Sequence, residues 1–369
     1  MTRLVYLSPV RLASFAQRSH HFIEWMHRRH GCEVLWLEPY PVRLPRLGDL
    51  HQLRAGKQPD LGPAWTHESW IERLYVPALP AEPLAPGRAL NAWFWKRLFD
   101  RLDDFIDEST WIVIAKPSAL AIKVLDRYPS HRTAFDVMDN VPAFNSGLSR
   151  RWLEHAEIEL AQRCDWILVS STALQTKFAQ YRHKLRLIPN GLTIPPPLDS
   201  ATNRDLWAQQ PGLIFGYLGV IGSWFDWTAI IELAVRFPDA TVKLVGPVHC
   251  RVPTLPRNVE LHPPVPQHQV YDALKEFSVG LIPFIVNELT EFVDPVKYYE
   301  YGAMGIPILS SRFGEMRLRG KHQRVLFFDQ LQADASLPHW FTALQPASQI
   351  DAFRRDHCWT RRFDQLDMF

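Results

Sequence analysis

The sequence predicts an α/β protein of two doubly wound domains, and three observations predict it. Short apolar runs such as residues 111–115 alternate with stretches of helical spacing, the pattern of parallel strands covered on both faces. That rhythm runs to residue 188, stops at the turn Asn190-Gly191 and a stiff proline-rich connector, and resumes at residue 213. A chain of 369 residues also exceeds one ordinary core and suits two, at ~150 residues each.

Taken in order, residues 4–7 read as a buried strand, 18–30 as a helix and 33–37 as the next strand. Such a βαβ opening is parallel because the crossover needs the intervening helix. Residues 39–70 carry Pro and Gly without periodicity and read as an irregular excursion. Strand 72–76, helix 88–108, strand 111–115, helix 118–127, strand 133–137, helix 149–163, strand 166–169, helix 172–180 and strand 185–188 follow, and complete a first domain over 1–193. The second domain, 194–346, repeats the scheme. It holds strand 213–218, helix 226–237, strands 241–245 and 258–262, helix 267–277, strand 279–284, a helix from Asp294-Pro295 to Gly305, and strands 306–309 and 325–328. A final helical stretch covers 347–368. Ligands of open parallel sheets bind outside the carboxyl ends of the strands, so the chemistry is expected in the cleft between the domains.

Composition narrows the function classes. With 47% hydrophobic and 22% charged residues the chain is globular, and 41 basic against 39 acidic side chains give a net charge of +2, which disfavours nucleic acid as a partner. Cys32, Cys164, Cys250 and Cys358 lie far apart with no CxxC pair, arguing against a zinc site or disulfide framework and for a reducing cytosol. The opening MTRLVYLSPV enters a strand without a charged-then-apolar leader, and no uncharged apolar run of ~18 residues occurs, so a cytoplasmic protein is expected. Residues 88–102 (RALNAWFWKRLFDRL) could still rest on a membrane face. They mix Trp93, Phe94 and Trp95 with Lys96, Arg97 and Arg101, and three aromatics in a row cannot all face one core.

The helix after Asp294-Pro295 carries the strongest functional signal. Asp294 suits its N-cap, Pro295 its first position and Gly305 its C′ position. Lys297 and Glu300 share a face of its first turns. A cation beside free backbone N–H groups favours an anion, and a carboxylate one turn on can grip hydroxyls, so phosphate and ribose form the natural ligand pair. The competing reading is a solvent ion pair worth ~0.2–0.5 kcal/mol. Gly216-Tyr-Leu-Gly219-Val-Ile-Gly222 follows a strand and precedes a helix. Its spacing is not that of a dinucleotide fingerprint, and no acid ends the following strand, which argues against NAD and leaves a glycine loop approached by a sugar-phosphate or a tight strand-to-helix turn. In the first domain Phe135-Asp-Val-Met-Asp139-Asn140 places two carboxylates at a strand's carboxyl end. Asp136 and Asp139 are turn-capping candidates, or Asp139 is a general base, with His20 and His21 as rival bases.

These pieces resemble the GT-B glycosyltransferases, specifically the family 4-type enzymes of bacterial surface polysaccharides, exopolysaccharide or teichuronic acid in type. Pro295-Val-Lys297-Tyr-Tyr-Glu300-Tyr-Gly-Ala-Met-Gly305-Ile-Pro307 resembles the nucleotide-sugar helix KxxEYxAxGxP. Leu187-Ile-Pro-Asn-Gly191 resembles the linker turn, Gly216-Tyr-Leu-Gly219 the glycine loop, and Cys358-Trp359-Thr360 the opening of a last helix (347–369) that crosses back to the first domain. The resemblance implies two Rossmann-like domains facing a cleft and no cofactor or metal. It implies a donor site of Lys297 on the diphosphate, Glu300 on the ribose, and Gly219, Val220, Gly246, Pro247, Arg251, Val265, Pro295 and Tyr301 around the nucleotide. It implies Asp139 as base, with Arg18, His20 and Asn140 toward the acceptor. The partners implied are a nucleotide sugar, UDP-linked in preference to GDP-linked, and a saccharide acceptor, free or lipid-linked. The chain departs from the family in having Ser223-Trp224-Phe225 where an Arg and a Lys are common, and Phe292 where a Glu is common, with Glu288 and Glu291 nearby. A sugar-nucleotide epimerase and a non-catalytic saccharide-binding scaffold of the same fold are the alternatives.

Overall fold

The computed structural model describes residues 2–45, 62–195, 212–266, 269–331 and 336–368. It divides into two compact units, Met1–Ile188 and Pro189–Phe369. The division falls just before the expected boundary at 193/194 because the chain after Ile188 is bonded to the second unit. Leu192 accepts from Trp359 N (3.1 Å) and donates to His357 O (3.0 Å), and Asn190 bonds to Asp294.

In the first unit, strands β1 (Arg3–Leu7), β2 (Glu33–Leu37), β3 (Ile71–Leu74), β4 (Trp111–Ile114), β5 (Arg132–Val137), β6 (Trp166–Val169) and β7 (Leu185–Leu187) form one parallel sheet in the order β3-β2-β1-β4-β5-β6-β7. Its central strands are mainly apolar, and Leu4, Val5, Ile112, Val113 and Ile167 are fully buried, as a sheet covered on both faces requires. The helices are α1 (Arg18–His30), α2 (Ala85–Phe94), α3 (Lys96–Phe105), α4 (Ala119–Arg127), α5 (Gly147–Arg163) and α6 (Thr172–Lys177). The single helix expected over 88–108 is two. Trp95 sits at the joint (φ −81°, ψ 2°), fully buried with its Nε1 donating to Pro77 O (2.9 Å), while Trp93 is 62% exposed. One break therefore sends neighbouring indoles to opposite environments.

The second unit repeats the topology. Strands β8 (Ile214–Leu218), β9 (Thr241–Val245), β10 (Val259–His262), β11 (Val279–Ile282), β12 (Ile308–Ser310) and β13 (Val325–Phe327) run parallel in the order β10-β9-β8-β11-β12-β13. The helices are α7 (Trp227–Arg236), α8 (Val270–Leu274), α9 (Val296–Ala303), α10 (His339–Thr342), α11 (Ala347–His357) and α12 (Trp359–Phe363). Helix α8 is shorter than the expected 267–277, whose first two residues lie outside the described ones. The expected helix over 347–368 breaks at Cys358, which is extended (φ −69°, ψ 151°) where it bridges to Leu192. Both sheets reverse direction of build beside their first strand, at β1/β4 and β8/β11, the switch points at which such sheets bind ligands.

Candidate active site

Helix α9 and the turn after β8 are fitted to each other. Gly219 leaves β8 at φ 144°, a left-handed conformation that favours glycine, and its N–H donates to Val245 O (2.8 Å). A Cβ there would lie 2.4 Å from Lys297 Nζ, so the glycine makes room for the lysine head. Gly246, at φ 141°, ends β9 in the same way, and a Cβ on it would strike Gly219 O at 2.2 Å. Ile221 N donates to Pro247 O (2.9 Å) and Tyr217 Oη to Val220 O (2.7 Å), lacing the two turns together.

The lysine and the glutamate are both half-buried, and the solvent ion pair expected as the plain alternative is not formed. Neither head group has a hydrogen bond or ion pair to protein, and Lys297 Nζ rests 5.2 Å from the Tyr217 ring centroid. Desolvation holds the Lys297 ammonium below its usual pKa and raises the Glu300 carboxyl, each offset by the other's charge. Two desolvated charges without partners, beside a helix start with no side-chain cap, leave N–H groups and an ammonium for an anion and a carboxylate for hydroxyls.

Asp294 is not that cap, contrary to expectation. Pro295, buried, holds the N-cap position, and Asp294 turns away to accept from Asn190 N (2.8 Å) and Tyr299 Oη (2.7 Å) and to pair with Arg319 (2.8 Å). Its charge is neutralised in the core and does not oppose an anion at α9. Arg319 has no motif around it and went unrecognised; its guanidinium also lies 3.6 Å from the Tyr298 ring centroid. Gly305 (φ 68°) stands at C′ as expected, and Arg354 Nε holds the last turn through Ala303 O (2.7 Å).

Tyr301 is a correction: expected at the donor, it is fully buried, its ring against Gly280 and its hydroxyl donating to Leu281 O (3.2 Å). It lies on α9's core face, packed against the sheet. Arg251 is exposed without a protein partner, whereas Val265 is half-buried against the hydrophobic core.

In the first unit Asp139 follows β5, in a turn fixed by Ser170 Oγ donating to Met138 O (2.7 Å). Its carboxylate is half-buried with no hydrogen-bond partner, and burial raises its pKa to about 6, the Arg18 charge pulling the other way. That suits a general base, whose pKa should lie near the working pH.

Arg18 and His20 are corrections. Arg18 is buried, its Nε 2.9 Å from Asp136 Oδ1 and its Nη1 donating to Ile188 O (2.7 Å), so it ties α1 to β5. Asp136 is thereby an ion-paired core residue and not a turn cap. His20 Nε2 bonds to Leu12 O (3.1 Å) while Nδ1 accepts from Gln17 N (3.3 Å), and burial lowers its pKa to about 4. Both ring nitrogens are engaged, which removes it as a rival base. Asn140 accepts from Lys177 Nζ through Oδ1 (2.8 Å).

Two Rossmann-like sheets of this order in one chain define the GT-B fold. Comparison with known proteins places the chain in that company. It is similar to a crystal structure of Anabaena HepE in complex with UDP-glucose, with a TM-score of 0.61 at 13% identity over 99% of this chain and 98% of that one. It is also similar to α,α-trehalose 6-phosphate synthase from Burkholderia multivorans, with a TM-score of 0.58 at 12% identity over 99% and 97%. In sequence it is 24% identical over 202 residues to TuaH of Bacillus subtilis (strain 168), provisionally named a teichuronic acid biosynthesis glycosyltransferase. That match spans 51% of this chain and 50% of the relative, so the chain covers about half the length of the curated relative it matches. No protein-family profile matches the chain.

Proposed function

We propose that this protein is a glycosyltransferase that moves a sugar from a nucleoside diphosphate sugar, UDP-linked in preference to GDP-linked, to a saccharide hydroxyl. The observation that carries the reading is the unpaired Lys297 and Glu300 at the uncapped start of α9, with the lysine head packed over Gly219. The complexes of HepE with UDP and UDP-glucose support a uridine nucleotide. In the reaction, Lys297 and the first N–H groups of α9 stabilise the departing diphosphate, Glu300 holds the ribose, and backbone near Gly246 and Pro247 borders the base. Asp139 accepts the acceptor's proton if the reaction inverts. In this reading Arg251 and Val265 border the nucleotide and Asn140 lies toward the acceptor.

The finer reading is a lipid-linked acceptor in bacterial surface polysaccharide synthesis, met at the inner membrane face. Exposed Leu84, Leu90 and Trp93 beside exposed Lys96 and Arg97 support it, and no helix among the described residues is long and apolar enough to cross a membrane. Two assays test the whole. Transfer from UDP-sugar should fall by about 10²-fold or more in Lys297→Ala with the circular dichroism spectrum unchanged. Donor incubated alone should keep its sugar; a changed sugar without acceptor would point to an epimerase.

A further inference from the structure

Asp139 shares a small cavity with a second carboxylate that no motif marks. The cavity has a volume of about 40 Å³ and lies at the carboxyl ends of β1, β4 and β5. Pro9, Ala115, Phe135 and Val137 contribute apolar wall, and the ionisable lining groups are Asp139 and Glu157. Glu157 projects from α5 and is only 3% exposed. One of its oxygens, Oε2, pairs with Lys177 Nζ (2.5 Å), and the same ammonium donates to Asn140 Oδ1 (2.8 Å). Its other oxygen, Oε1, is buried and has no hydrogen-bond partner in the protein. The Asp139 carboxylate has none either.

Such an arrangement is unstable as dry space. A buried carboxylate oxygen without a donor carries the full desolvation penalty of that group. Two acceptor-only groups cannot satisfy each other, because neither ionised carboxylate has a proton to give. A water can, donating one hydrogen to each, and a site of this volume with two carboxylate acceptors has the room and the polar partners that an ordered one requires.

We infer that this cavity is a built water site, in which one ordered water donates to Oε1 of Glu157 and to the Asp139 carboxylate, making Glu157 a positioning residue for Asp139. The inference rests in part on Asp139 being the base, although the water itself does not. Burial raises the pKa of both carboxyls, as expected for groups facing one small, mostly apolar space. The other charges bearing on the pair are Arg18 toward Asp139, and Lys177 and Glu154 toward Glu157. Glu157, held by Lys177, thus supplies the water's second acceptor and lines the same cavity as the base.

Two experiments test this. A high-resolution crystal structure of the full chain should show one water within about 3 Å of both Glu157 Oε1 and an Asp139 carboxylate oxygen; density for no water there overturns the inference, whatever the protein catalyses. The acid limb of the pH–rate profile then reads the positioning role, with Asp139→Asn as the control for the base. Glu157→Gln removes a negative charge near Asp139 and should move the limb to lower pH by at least about half a unit, and Lys177→Met should move it to higher pH. A purely structural role would lower the rate without opposite shifts, and limbs that coincide with the wild type overturn the positioning claim. If Asp139→Asn retains full transfer, the base assignment fails, while the crystallographic water still stands or falls by itself.

Discussion

The two units share a topology and differ in what they do with their charges. In the second, the groups at the candidate donor site are left without protein partners: the Lys297 and Glu300 head groups and the first two N–H groups of α9 have none, while Asp294, a charge that would oppose an anion, is tied to Arg319, Tyr299 and Asn190. In the first, most polar groups near the strand ends already serve the fold. Arg18 joins Asp136 and Ile188, His20 joins Leu12 and Gln17, and Lys177 joins Glu157 and Asn140. What remains open there is a pair of carboxylates. A charged ligand needs complementary charges held ready, whereas a neutral hydroxyl needs only a base of the right pKa in a fixed place.

That contrast can be broken by substitution. Asp139→Asn should reduce transfer by about 10³-fold or more while leaving UDP affinity unchanged, since loss of a general base removes ~10²–10⁴ in rate. Lys297→Ala should lower transfer by about 10²-fold or more together with UDP affinity, the scale of losing one charged donor to a developing anion. If each variant lost both properties equally, the division of labour would be wrong. Arg18→Met should leave chemistry aside and destabilise the first unit by ~3–5 kcal/mol in denaturant titration, because Asp136 would remain buried and unpaired.

Asp139 also ties the site to pH. Its folded pKa, about 6, lies above the ordinary 3.8, so the folded state binds more protons between those values and loses stability as pH rises through that window. Transfer should therefore rise with pH through about 6, where the carboxylate forms. Asp139→Asn should raise the melting temperature at pH 7.5, by up to ~3 kcal/mol of stability, and the gain should disappear below pH 4. A variant no more stable than wild type at pH 7.5 would show that the turn relaxes around the charge. The smallest effect belongs to the surface: Trp93→Ser should weaken binding to anionic vesicles several-fold in flotation assays without changing transfer to a soluble acceptor.

The unequal legibility of the units follows from the same contrast. The succession of strands, most helices and the donor helix were readable because each rests on local signals: apolar runs, a proline at a helix start, glycine at C′, and a lysine and glutamate at i and i+3. The first unit's site rests on pairs distant in sequence, Arg18 with Asp136 and Glu157 with Lys177, and spacing carries no record of them. Tyr301 sits inside a binding motif but faces the core, since one helix must serve both the ligand and the sheet. Asp294 before a proline had every mark of an N-cap, and only the folded chain reveals that Arg319 takes it elsewhere.

The central claim is that the start of α9 with Lys297 is a nucleoside diphosphate site, and isothermal titration with UDP tests it most directly. The wild type and Asp139→Asn should bind UDP alike, and Lys297→Met should bind it at least about 10-fold more weakly, the loss of one charge-assisted contact to phosphate. Equal affinity in the wild type and Lys297→Met, or no UDP binding to the wild type, would contradict the assignment.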